Sequence, residues 1–156
     1  MYGLLIGKKA VVTGAAQGIG KATALLYAQN GADVALCDLN LEKAKEAAAE
    51  IARETGRICA AYPMDVANEQ SVSDALDAIE ADFGRIDALC HSAGILLHAP
   101  LLDMSVSDWD KIFAVNTRGT FLVNRKAAAI MKKNGGGKLV NLSSCSGKKP
   151  TPEEGG

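Results

Sequence analysis

The sequence predicts an α/β fold with a doubly wound parallel sheet, on three observations. Short β-branched and apolar runs alternate with amphipathic stretches of helical period along most of the chain. The runs are apolar on consecutive residues, as strands buried on both faces are. The 156 residues, 48% of them apolar, make up one domain's worth of chain with a real core.

The elements follow in order. Residues 9–13 (KAVVT) form a short run that ends at glycine and reads as a buried strand. Residues 18–29 read as a helix closed by Asn30-Gly31. Residues 33–38 (DVALCD) are a second buried strand. Leu41, Ala44, Ala47, Ala48, Ile51 and Ala52 fall on one helical face. Residues 58–63 are a third strand, and Val72, Ala75, Leu76, Ile79 and Phe83 mark another helical stripe. Residues 86–91 (IDALCH) are a fourth strand, followed by a loop with Gly94 and Pro100. Ser105 or Ser107 caps a helical region that runs to Lys133, with a bend expected near Asn116. Glycines 135–137 stop it, and residues 138–142 are a fifth strand. Strands alternating with helices mean a parallel sheet covered on both faces. The tail, residues 147–156 (GKKPTPEEGG), reads as a polar loop.

Composition narrows the function. The net charge of −1 leaves no basic excess to attract nucleic acid or an anionic membrane. Cys37, Cys59, Cys90 and Cys145 match neither zinc-ligand spacing nor a small secreted disulfide framework, so no metal site is expected. Free thiols in a reducing compartment are the simpler reading. The apolar patch at the N-terminus precedes its lysines, the wrong order for a signal peptide, and is too short for a membrane span. A cytoplasmic protein is the expectation.

The first strand runs into Thr13-Gly14-Ala15-Ala16-Gln17-Gly18-Ile19-Gly20. Small residues between a strand and a helix let the backbone approach a pyrophosphate, and the free N–H groups and dipole of the helix start hold its charge. Glycines also make ordinary tight turns, but this cluster has a strand before it and a helix after it. Asp38 ends the second strand 18 residues after Gly20. A carboxylate there accepts both hydroxyls of an adenosine ribose and repels a 2′-phosphate. Ala15, Ala16, Cys37 and Leu39 around it include no Lys or Arg, which favours NAD(H) over NADP(H). The alternative role for Asp38 is to cap the next helix. Together these features point to a Rossmann-type nucleotide-binding domain.

The ordered motifs resemble the short-chain dehydrogenase/reductase family. Thr13, Gly14, Gln17, Gly18, Ile19 and Gly20 carry that family's TGxxxGxG spacing. Asp65, followed by Val66, matches the aspartate that the family sets against the adenine ring. His91-Ser92-Ala93-Gly94 stands where the family has Asn-Asn-Ala-Gly. Asn116 matches the helix asparagine of the catalytic tetrad, and Ser144, in Asn141-Leu142-Ser143-Ser144, the catalytic serine. The resemblance implies cofactor binding by the glycine turn, Asp38, Asp65, Val66, Ser92, Ala93 and Gly94. It implies that Ser144 orients the substrate oxygen and that Asn116 holds a water on the proton path. Hydride exchange between a secondary alcohol and a ketone is the implied reaction, on a small alcohol or carbonyl substrate. A homo-oligomer is implied as well, with the helix bearing Phe121, Leu122, Ala127, Ile130 and Met131 at the subunit contact.

Two departures stand out. His91 replaces the family's asparagine and reads as a structural or cofactor-lining residue rather than a general base. The family's tyrosine follows the serine by thirteen residues, with a lysine four further on; counted from Ser144, the tyrosine position falls just past Gly156. Neither Tyr2, Tyr27 nor Tyr62 begins a Tyr-x-x-x-Lys run. The expectation is therefore strands one to five of a Rossmann domain that is incomplete at its C-terminus, the last strands and helices lying outside it. A catalytically incomplete nucleotide-binding domain is the alternative reading. Hydrolase chemistry is disfavoured, because Ser144 and Ser146 lack the flanking glycines of a GxSxG elbow. Leu96, Leu97, Leu101 and Cys145 are candidates to line the substrate approach.

Overall fold

The structure is a computed structural model that describes residues 3–144. Tyr2, Cys145 and the tail at 147–156 lie outside the described residues. The elements are β1 (Lys9–Thr13), α1 (Gly18–Gln29), β2 (Asp33–Asp38), α2 (Leu41–Thr55), β3 (Cys59–Pro63), α3 (Glu69–Phe83), β4 (Ala88–His91), α4 (Val106–Ile112), α5 (Gly119–Lys133) and β5 (Lys138–Asn141). A π-helical turn, Phe113–Arg118, joins α4 to α5. The bend expected near Asn116 is this turn, in which one helical repeat takes an extra residue. Ser105, rather than Ser107, caps α4, accepting the Asp108 N–H at 3.0 Å.

The five strands are all parallel, in the order β3-β2-β1-β4-β5. Strand order therefore reverses between β1 and β4, the place where such sheets leave a crevice at their carboxyl ends. Alternate side chains of each strand feed two cores. On one face Val11, Ala35 and Leu89 pack under Val72, Leu76 and Ile79 of α3 and Val123, Ala127 and Ile130 of α5. On the other, Ala10, Val12, Val34 and Leu36 pack under Ala24 and Ala28 of α1 and Ala48 and Ile51 of α2. Burial on both faces explains why the strands read as continuous apolar runs.

Three details differ from the sequence reading. β4 starts at Ala88 rather than at residue 86, because Asp87 turns its carboxylate onto the Lys9 N–H at 2.8 Å. Of the α5 residues expected at a subunit contact, Leu122, Ala127, Ile130 and Met131 are buried in the core, and only Phe121 is exposed. They fall on the stripe that faces the sheet. The exposed aromatic side chains of this region are Trp109, Phe113 and Phe121, with Trp109 stacked on Phe113 at 4.6 Å between centroids. β5 is the sheet's edge, with Leu139 and Val140 partly exposed.

Below the sheet, at the amino ends of the strands, the buried Asp33 carboxylate accepts from Lys9 Nζ at 2.6 Å, from the Arg57 guanidinium and from the Ile58 N–H. Desolvation alone would raise its pKa. The Lys9 and Ile58 hydrogen bonds and the two cations outweigh it and hold the group below 3.8. No described helix is long and apolar enough to cross a membrane.

Candidate functional site

The carboxyl ends of the strands enclose a cleft of about 510 Å³. β1 delivers Thr13 and Gly14 to it, and α1 delivers Gln17, Gly18, Ile19 and Gly20. β2 delivers Cys37, Asp38 and Leu39; β3 delivers Met64, Asp65 and Val66. Ser92, Ala93, Gly94 and Ile95 follow β4, Leu142 follows β5, and Val115 reaches in from the π turn. All of the residues singled out for cofactor binding thus meet in one place. Sequence reasoning missed Met64, Ile95, Val115 and Leu142, and treated Cys37 and Leu39 only as neighbours of Asp38. Their signal was position alone, next to or just past a strand's end.

The glycine turn has three distinct steric reasons. Gly14 (φ 64°) lies against the next loop: a Cβ there would come within 2.9 Å of the Ala93 Cα. A Cβ on Gly20 would overlap the Gly14 carbonyl. Gly18 (φ 57°) meets nothing within 4 Å, so a side chain there would project into open space at the cleft. The first two glycines build the turn; the third leaves room for what the turn holds.

The start of α1 carries neither of the usual supports. Gln17 makes no side-chain cap, and the first turn has no acidic residue. Its N–H groups and dipole are left for an anion. Asp38 stands at the cleft beside this turn. Its Oδ2 accepts the Ala16 N–H at 3.0 Å and its Oδ1 the Asn40 N–H at 2.9 Å. Two carboxylate oxygens offer about four acceptor positions, so capacity for two further donors remains. The capping role considered for Asp38 falls instead to Asn40, whose side chain accepts the Lys43 N–H. No lining residue is Lys or Arg. Asp65 is oriented by the Ala67 N–H on its Oδ1, at 2.9 Å.

Asn116 and Ser144 do not line the cleft. Asn116 grips its wall: Oδ1 accepts the Ile95 N–H at 2.9 Å, and Nδ2 donates to the Ile95 carbonyl at 2.8 Å. The Asn116 carbonyl accepts the Thr120 hydroxyl at 2.6 Å. Ser144 is exposed, three residues past β5. Leu96 and Leu101, expected along the substrate approach, are exposed and outside the cleft lining, as is Leu97. Burial, aided by the Asp38 charge, pushes the Cys37 thiol far up, so it stays a neutral lining group. Burial also raises Tyr27 and Tyr62; Tyr62 donates to Asp82 at 2.7 Å. Neither tyrosine reaches the cleft. Among the described residues no cluster of His, Cys, Asp or Glu is arranged to hold a metal.

The family profile described as short chain dehydrogenase matches residues 8–155. D-threitol dehydrogenase of Mycolicibacterium smegmatis is 46% identical over 140 residues, covering 90% of this chain and 54% of that protein. Cyclopentanol dehydrogenase of Comamonas testosteroni is 41% identical over 140 residues, with coverage of 90% and 56%. The crystal structure of an NAD+-bound xylitol dehydrogenase superposes with a TM-score of 0.92 at 36% identity, over 97% of this chain and 58% of that one. A short-chain type dehydrogenase/reductase from Mycobacterium marinum superposes at 0.93, with 34% identity and coverage of 98% and 62%. The chain spans a little over half the length of the curated relatives it matches. Its sheet order, its glycine turn and a profile match over nearly its whole length agree: the chain belongs to the short-chain dehydrogenase family.

Proposed function

We propose that the cleft binds NAD(H), and that the protein uses it to interconvert a secondary alcohol and a ketone by hydride transfer. The observation that carries this reading is the pairing of an uncapped α1 start with the Asp38 carboxylate at one cleft. Thr13, Gly14, Gln17, Gly18, Ile19 and Gly20 form the pyrophosphate turn. Asp38 takes the ribose diol, Asp65 and Val66 flank the adenine, and Ser92, Ala93 and Gly94 border the rest of the dinucleotide. Bound there, the dinucleotide supplies or accepts the hydride. Ser144 orients the substrate oxygen and Asn116 supports the proton path; both are assigned from the resemblance. Turnover also needs a positioned acid/base, a contribution of about 10²–10⁴-fold. The family's motif puts that tyrosine beyond the cleft residues described here. The printed names of the relatives, a threitol, a cyclopentanol and a xylitol dehydrogenase, support a small alcohol as substrate. A cytoplasmic homo-oligomer fits the same reading, with the exposed Trp109, Phe113 and Phe121 surface as the candidate contact.

The test is titration with NADH and NADPH, followed by nicotinamide fluorescence. NADH is expected to bind more tightly. Asp38→Ala should weaken NADH by about 1–3 kcal/mol, the scale of a hydrogen bond to a charged group. Tighter binding of NADPH by the unaltered protein would refute the assignment of Asp38.

A further inference from the structure

We propose that His91 is a positioning residue of the cleft, acting as a neutral imidazole protonated on Nε2 that accepts the Thr13 hydroxyl proton. The inference rests on the dinucleotide reading above for its functional consequence, and on hydrogen-bond counting for its chemistry.

Thr13 Oγ1 is the centre of four groups. It lies 2.9 Å from His91 Nδ1, and it accepts the N–H of Ser92 and of Ala93, each at 3.2 Å. A hydroxyl has one proton and two lone pairs. The two amides take both lone pairs, so the single proton must go to Nδ1. Nδ1 is therefore unprotonated, and the ring of a neutral histidine carries its proton on Nε2. Protonating Nδ1 would set a donor against an oxygen with no lone pair left.

The surroundings agree. His91 is only 2% exposed, and burial depresses its pKa below 6.5. Among the described residues Nε2 has no hydrogen-bond partner. A buried donor left in that state costs about as much as a hydrogen bond gains, so something must offset it. The offset lies on the other nitrogen. By absorbing the Thr13 proton, His91 directs that oxygen's lone pairs at two consecutive amides. Those amides belong to the segment that presses on Gly14, where a Cβ would come within 2.9 Å of the Ala93 Cα. The His91–Thr13 bond thus sets the spacing between the glycine turn and the β4 exit, the two walls nearest the pyrophosphate position.

The test uses the protein, His91→Asn and His91→Leu. An asparagine oxygen occupies about the place of Nδ1 and accepts the same proton; leucine does not. Long-range ¹H–¹⁵N correlation spectra of the unaltered protein should show His91 neutral with its proton on Nε2. His91→Leu should speed hydrogen exchange at Ser92 and Ala93 and weaken NADH by about three- to tenfold, the scale of one lost hydrogen bond. His91→Asn should keep both within about twofold of the unaltered protein, a margin well under one hydrogen bond. A proton on Nδ1 at neutral pH overturns the inference, as does normal Ser92 and Ala93 protection in a folded His91→Leu protein. If the unaltered protein binds no dinucleotide, the functional reading fails, while the spectra and exchange rates still decide what His91 does.

Discussion

The helix starts at α1 and α3 are the same kind of structural object, yet they are equipped in opposite ways. At α3 the Asn68 side chain accepts the Ser71 N–H at 3.1 Å, and Glu69 puts a negative charge in the first turn. α2 is equipped alike, with Asn40 and Glu42. α1 has no side-chain cap and no acidic residue in its first turn, and its first basic residue, Lys21, is turned to Glu50 at 2.6 Å. A capped end satisfies its own orphan amides and stabilises the fold; an uncapped end leaves them for a ligand. The contrast marks which of several similar helix ends is the binding one, and it needs no comparison with other proteins.

The substitution that should break the contrast most completely is Gly18→Val. Its side chain would enter open space at the cleft and carry a positive φ besides. NADH affinity should fall at least about hundredfold, roughly 3 kcal/mol, while the far-ultraviolet circular dichroism stays close to that of the unaltered protein. Calorimetry that finds normal affinity in folded Gly18→Val would remove the pyrophosphate assignment. Gln17→Asp should convert α1 into an end like α3. The melting temperature should rise, reflecting up to about 1 kcal/mol from the cap and the dipole, while NADH binding weakens about tenfold through charge repulsion. A variant that gains stability and keeps its affinity would show that the α1 amides are not committed to a ligand. Asn68→Ala should act in the reverse sense, costing about 1 kcal/mol in urea denaturation while NADH affinity stays within about twofold. The last prediction concerns the strand behind the α1 turn. His91 has a folded pKa lowered by burial, so acid favours the unfolded chain, which protonates first. Its contribution should be complete above about pH 6.5 and decline as the pH falls below that value. The Asp33 contribution should be lost only below 3.8, because that group is shifted the same way from a lower starting value. Urea midpoints between about pH 7.5 and 5.5 should therefore fall in the unaltered protein and stay flatter in His91→Asn.

Much of this was legible in the sequence, for reasons that differ by region. The strands could be read because burial on both faces leaves an unbroken apolar run, as in Val34-Ala35-Leu36-Cys37. The glycine turn could be read because backbone approach demands small residues at fixed spacing. Met64, Ile95 and Leu142 could not be read as cleft residues, because they are apolar, and only the order of strands brings their chain positions together. The stripe on α5 was assigned to the wrong partner for a related reason. Helical period shows that Leu122, Ala127, Ile130 and Met131 share a surface, but not whether a sheet or a second subunit covers it. The hydroxyl of Thr13 was invisible in a different way: its motif points to the cofactor, while its hydrogen bonds run to His91, Ser92 and Ala93.

The π turn at Phe113–Arg118 sets the phase of everything after it. Each residue of an α-helix advances the side-chain direction by about 100°. Removing one residue from the turn would let α4 and α5 join as one regular helix, a gain in local hydrogen-bond geometry. The same deletion would rotate α5 by about 100° relative to α4. Either Val123, Ala127 and Ile130 would leave the core, or α4 would swing away from its place beside the cleft. The extra residue works as a keyway: it ties the orientation of the buried stripe to the position of Asn116, so neither can drift by insertion or deletion without the other being lost.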